Sequence, residues 1–138
     1  MVARAKVRPA HKGVVLVVED EPLIRTCAAN FFVEAGYEVL QAGSASQALT
    51  ILENRDDILA VFTDIEMPGP MNGLGLAASI SERWNAIAIL ITSGRLCPPE
   101  HDLPVGAGFI GKPYRTAHVL GKIEALVAER SSPQHAPQ

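Results

Sequence analysis

Gly13-Val-Val-Leu-Val-Val18 runs straight into Glu19-Asp20-Glu21-Pro22, and this stretch decides how the rest of the chain is read. Six residues without one polar side chain suit a strand buried on both faces of a parallel sheet. Pro22 suits the first turn of a helix, where its missing N–H costs nothing. A strand that passes through a short acidic turn into a helix is the opening of a βαβ unit, and such units build α/β domains.

Downstream the alternation repeats. Leu23, Ile24, Cys27, Ala28 and Phe31 fall at helical spacing, and Gly36 follows as a C-terminal stop. Tyr37 to Ala42 reads as a second strand. Ser44, with Gln47 three residues on, predicts a capping box for a helix through Glu53. Ile58 to Thr63 is a third apolar run and ends at Asp64. Met67-Pro-Gly-Pro-Met-Asn-Gly73 is dense in turn formers. Leu74 to Trp84 resumes helical character, Ala86 to Thr92 is a fourth strand, and Gly108 to Gly111 a short fifth. Thr116 to Glu129 is a last helix with Val119, Leu120, Ile123, Leu126 and Val127 on its apolar side. Between strands four and five, Pro98, Pro99 and Pro104 leave little room for regular helix.

The totals agree with one α/β domain. A chain of 138 residues has room for a single ordinary core, and 48% hydrophobic with 20% charged residues is globular rather than disordered. A net charge of -3 argues against general nucleic-acid binding. Cys27 and Cys97 are far apart and read as free thiols of a reducing compartment. Arg4, Lys6, Arg8, His11 and Lys12 resemble the start of a signal peptide, but Val14 to Val18 is too short for its apolar region. No run approaches the roughly 20 apolar residues of a membrane span. The expected organisation is a mobile basic tail over 1–12, a domain over 13–130 and a mobile tail over 131–138, in the cytoplasm. His11, His101, His118 and His135 lack ligand spacing, so no metal is expected on them.

In an open parallel sheet, ligands bind outside the carboxyl ends of the strands. Glu19 and Asp20 end strand one, Asp64 ends strand three, Thr92 and Ser93 end strand four, and Lys112 ends strand five. Three carboxylates at neighbouring strand ends repel one another and call for a cation, and hard oxygen ligands favour Mg²⁺. A metal beside a carboxylate, a hydroxyl and an ammonium describes a phosphoryl acceptor site. Asp64 is the expected nucleophile, with Lys112 and Ser93 meeting the transferred oxygens.

Glu19-Asp20 after the Val-rich run, Thr63-Asp-Ile-Glu-Met-Pro-Gly69, Ser93-Gly94 and Lys112-Pro113 together resemble the receiver domain of two-component response regulators, from about Val14 to Val127. That resemblance implies a doubly wound five-stranded sheet of flavodoxin-like order 2-1-3-4-5. It places the phosphoaspartate at Asp64 and the acidic pair at Glu19 and Asp20, with Glu replacing the more usual Asp. It assigns the Glu66 backbone carbonyl to the Mg²⁺ site, the phosphate-binding lysine to Lys112, and a cis bond to Pro113. Phe109 falls at the aromatic switch position. The 67–73 loop is one residue longer than usual, and allowing for it puts Ser93 at the switch hydroxyl, with Thr92 the alternative.

The chain departs from the family between Ser93 and Lys112, where the fourth helix is expected to be shortened or irregular. Glu66 and Arg95, each two residues past a site residue, are expected to pair across the site and hinder water. The resulting expectation is a stand-alone receiver, since little sequence follows Glu129. It would take phosphoryl groups from a histidine kinase or histidine phosphotransfer protein, as a monomer or weak homodimer, and contact an unknown downstream protein or serve as a phosphate sink. No nucleic acid, membrane or organic cofactor is expected. It would catalyse only its own phosphorylation and dephosphorylation. Two rivals fit less well. A phosphatase with an Asp nucleophile wants a second Asp where Glu66 stands, and a flavodoxin-like cofactor binder wants a phosphate loop where Glu19-Asp-Glu-Pro22 would repel one.

Overall fold

The computed structural model of the chain describes residues 11–95 and 97–131. Five strands, β1 (Val14–Val18), β2 (Glu38–Ala42), β3 (Ile58–Asp64), β4 (Ala88–Ser93) and β5 (Gly108–Gly111), form one parallel sheet in the order β2-β1-β3-β4-β5. Four helices connect them: α1 (Pro22–Glu34), α2 (Ala45–Asn54), α3 (Gly73–Arg83) and α4 (Thr116–Ser131). The parallel α/β sheet is what the alternation of runs predicts, and its strand order is the doubly wound one that the resemblance implies.

Alternate side chains of the strands build two cores. Leu16, Val61, Ile89 and Ile91 pack under α2 and α3 with Leu52, Leu76 and Ile80. Val15, Val17, Phe62, Leu90 and Ile110 pack under α1 and α4 with Ala28, Phe32, Val119 and Ile123. Burial on both faces is why β1, β3 and β4 are apolar without a break.

Local chemistry starts the helices. The Ser44 hydroxyl accepts the Gln47 N–H at 3.2 Å. The Gln47 side chain reaches back to the Gly43 N–H at 2.7 Å, one residue earlier than a capping box requires. Asn72 caps α3 by accepting the Gly75 N–H at 3.0 Å.

One helical face differs from its sequence reading. In α1 the buried residues are Ala28, Ala29 and Phe32, whereas Leu23 is 76% exposed and Ile24 and Cys27 also face outward. The alanines leave space for the helix to approach the sheet closely. Phe32 meets Tyr37 and Phe62 edge-on, with ring centroids 5.8 and 5.7 Å away. Packing against the sheet therefore selects a face rotated from the one with the most large apolar residues.

Between β4 and β5 the described residues hold a single 3-10 turn, Glu100–Asp102. Prolines replace helix here, and Arg130 of α4 ties the interval down by donating to the carbonyls of Val105 (3.4 Å) and Asn85 (2.8 Å). Most of both expected tails lies outside the described residues. At the inner edge of the first, the Lys12 N–H donates to Gly36 at 2.9 Å, and its ammonium stands 5.5 Å from the centroid of the Tyr37 ring. No described helix is long and apolar enough to cross a membrane.

Candidate functional site

The strand ladder continues for one residue past several strand ends, and this positions the polar side chains. The Glu19 N–H donates to the Ala42 carbonyl at 3.0 Å, Ile65 to Thr92 at 2.9 Å and Lys112 to Ser93 at 2.9 Å. Glu19, Asp64 and Lys112 are thereby held at the carboxyl ends of β1, β3 and β5. They stand at a cleft of about 740 Å³ that Asp20, Glu66 and Arg95 also line. A second groove, of about 600 Å³, lies at the other end of the sheet. Its Arg55 and Arg83 are already paired with Asp57 and Glu53, so neither guanidinium is left open to a ligand there.

Asp64 is 5% exposed and well partnered. Lys112 Nζ lies 2.7 Å from Asp64 Oδ2 and 3.4 Å from Glu19 Oε1, and the Glu66 N–H donates to Asp64 Oδ1 at 3.2 Å. Burial opposes ionisation of Asp64, but hydrogen bonds from Glu19 and Lys112, with the lysine's charge, outweigh it and hold the carboxyl below its usual range. Glu19 goes the other way. Burial, helped by the hydrogen bond to Asp64, pushes its carboxyl up to about 7, although the Glu21 N–H at 3.0 Å favours the anion. One ammonium, that of Lys112, faces both carboxyls.

The donor set is the test of the expected cation. The pair has more acidity than one lysine neutralises, and every donor is a hard oxygen, so the residues fit a divalent ion such as Mg²⁺. Asp20 is exposed at the rim of the same cleft. Among the described residues no three acidic, histidine or cysteine side chains converge into a closed cage. An open site completed by a backbone carbonyl and water is the manner in which Mg²⁺ is usually held.

The two candidate hydroxyls are separated by the alternation of β4. Thr92 pairs with Asp64 in register and shares the α1 and α4 face with it. Its Oγ1 is buried without a hydrogen-bond partner among the described residues, at a cavity of about 10 Å³ also lined by Glu19, Asp64 and Tyr114. Ser93 follows Ile89 and Ile91 on the opposite face, where Phe109 packs. It is 2% exposed, donates to Glu66 Oε2 at 2.5 Å and accepts the Arg95 N–H at 3.1 Å. The expected pairing of Glu66 with Arg95 is thus replaced: Arg95 contributes its backbone N–H, and the Glu66 carboxylate turns to Ser93 at the end of β4. The Lys112-Pro113 bond is cis.

Two contributors escape a reading of the sequence. Gly73 looks like one more turn former, yet a Cβ there would stand 1.9 Å from the Asp64 carbonyl oxygen. Arg25 donates to the Glu19 carbonyl at 2.9 Å and steadies the acidic turn from within α1. Only the Glu66 side chain carried a usable signal, its place two residues past Asp64.

Known proteins resemble this arrangement closely. A family profile described as the response regulator receiver domain matches residues 15–124. A probable transcriptional regulatory protein of Picosynechococcus is 30% identical over 91% of this chain and 55% of its own. The aerobic respiration control protein ArcA of Escherichia coli is 37% identical over 83% of this chain and 48% of its own. The chain therefore spans about half the length of these curated relatives. Among solved structures, the response regulator protein TrrA from Thermotoga maritima, in complex with Mg(2+)-BeF, superposes with a TM-score of 0.73. It is 28% identical, over 83% of this chain and 98% of that one. A CheY-like receiver domain protein from Methanospirillum hungatei shares the fold, with a TM-score of 0.76 at 24% identity over 86% and 95% of the two chains.

Proposed function

The chain belongs to the response regulator receiver domain family, and from that premise we propose that it is a phosphorylation switch whose acceptor is Asp64. The observation that carries this reading is Asp64 itself: a nearly buried carboxylate kept ionised, 2.7 Å from the Lys112 ammonium, at the floor of an open acidic cleft. A phosphohistidine on a histidine kinase or phosphotransfer protein is the donor. One Asp64 oxygen bonds to phosphorus as the phosphorus–nitrogen bond breaks, and its electrons return to the donor's imidazole.

Glu19, Asp20, Asp64 and the Glu66 backbone carbonyl would hold Mg²⁺, which when bound offsets charge on the transferred oxygens. Lys112 does the same from β5, already directed at Asp64 by the ladder bond to Ser93. The Glu66 N–H restrains the acceptor carboxylate. Ser93 donates to a phosphoryl oxygen, and Phe109, packed on the same face of the sheet, reports the movement to the surface. Thr92 is a structural residue in this reading. The output is a protein–protein contact or storage of phosphate, in the cytoplasm, by a monomer or weak homodimer whose only catalysis is its own phosphorylation and dephosphorylation.

Incubation with acetyl phosphate and Mg²⁺, followed by intact mass, tests the reading. Addition of one phosphoryl group is expected, abolished in Asp64→Asn and by removal of Mg²⁺ with a chelator. Equal labelling of Asp64→Asn would refute it.

A further inference from the structure

We propose that the Glu66 side chain is a latch on the Ser93 hydroxyl, a positioning residue that sets how readily Ser93 turns to a phosphoryl group on Asp64. The inference rests on the reading of Asp64 as acceptor and adds to it a competitor built into the site.

The physical basis is proton stoichiometry. A serine hydroxyl has one proton to donate. Here it is donated to Glu66 Oε2 at 2.5 Å, a charge-assisted bond between groups 27 residues apart in sequence. The oxygen's acceptor side is engaged as well, by the Arg95 N–H at 3.1 Å. With Ser93 only 2% exposed, water competes poorly for the proton. A phosphoryl oxygen on Asp64 needs that same proton, so the Glu66 carboxylate and the phosphoryl group are rival acceptors for one donor.

Glu66 is also placed to feel the new charge. Its N–H holds Asp64 Oδ1 at 3.2 Å, so an added phosphoryl group brings negative charge to the residue whose carboxylate holds Ser93. Like charges repel, which drives the Glu66 side chain toward the cleft mouth while the hydroxyl rotates about χ1 to another staggered position. Phosphorylation opens the latch, and the latch sets a threshold that phosphorylation must overcome.

Mg²⁺ with beryllofluoride, which mimics a phosphoryl group on a carboxylate, measures that threshold as an apparent affinity read by NMR. Glu66→Asp keeps the charge but is one methylene shorter and withdraws from Ser93. The expected result is binding about tenfold tighter than wild type, the worth of one hydrogen bond to a charged group. In a Ser93→Ala background the same substitution should change nothing, which separates the latch from a general effect of Glu66 on the cleft. In the metal-free protein, Glu66→Asp should also speed exchange of the Ser93 hydroxyl proton with water. Unchanged affinity in Glu66→Asp, or a gain that persists without the Ser93 hydroxyl, would overturn the latch and leave the function of Asp64 standing. No Mg²⁺-dependent uptake by folded wild type or any variant would overturn both.

Discussion

Replacing Gly73 by alanine places a methyl group where the backbone of Asp64 stands. The new Cβ would lie 1.9 Å from the Asp64 carbonyl oxygen, 2.7 Å from its carbon and 2.8 Å from Ile65 Cα, all backbone atoms with no rotamer to escape into. Relief needs a shift of roughly 1 Å between the start of α3 and the end of β3, an overpacking strain of about 1–3 kcal/mol. The shift also stretches the Gly73 N–H bond to the Ile65 carbonyl, 2.9 Å long and worth about 1 kcal/mol. Against this stands the better helix propensity of alanine, at most about 1 kcal/mol.

The net expectation is a loss of about 2 kcal/mol, or about 7 °C in Tm for a chain of this size. Gly121, inside α4, is the control: a Cβ there meets nothing within 4 Å. Gly121→Ala should stabilise the protein by about 0.5–1 kcal/mol. Urea denaturation of both variants reads the difference, and acetyl phosphate labelling reads its consequence for Asp64. Gly73→Ala should lose labelling rate as well as stability, because the atom displaced belongs to Asp64, the proposed acceptor. A Gly73→Ala protein as stable as wild type would refute the reasoning.

Two further outcomes follow from the site. Thr92→Val removes a buried hydroxyl that has no partner among the described residues, so stability should rise by about 1 kcal/mol while acetyl phosphate labelling stays at the wild-type rate. A fall in stability, together with lost labelling, would return the switch role to Thr92. Lys112→Ala should slow labelling by about 100-fold, as removal of a preorganised charge does elsewhere. Binding of Mg²⁺, followed by NMR, should persist in the same variant, since its oxygens come from other residues.

The strands, their parallel order of connection and the strand-end positions of Glu19, Asp64, Ser93 and Lys112 were legible because each depends on short-range pattern. An apolar run flanked by a polar residue marks a buried strand and its end with no knowledge of the partner strand. The proline-rich interval before β5 was legible for the same local reason, since a missing N–H is a property of one residue. Helix faces were less so: in α1 the apolar residues cover most of the surface, and which of them enter the core depends on how closely the sheet can be approached.

Contacts across the chain were set by the tertiary structure alone. Glu66 could have faced Arg95 or Ser93, and the folded chain sets its carboxylate against the Ser93 hydroxyl at the end of β4. Gly73 is required by a carbonyl nine residues earlier that only the packing of α3 against β3 brings beneath it. The raised carboxyl of Glu19 and the ionised one of Asp64 are likewise a division made by burial and by Lys112, which lies 48 residues beyond Asp64 in the chain. Periodicity and residue type carry the identity of the site, because both act over a few residues. The partners its atoms choose depend on distances of a few ångströms between segments far apart in sequence, and those exist only once the chain has folded.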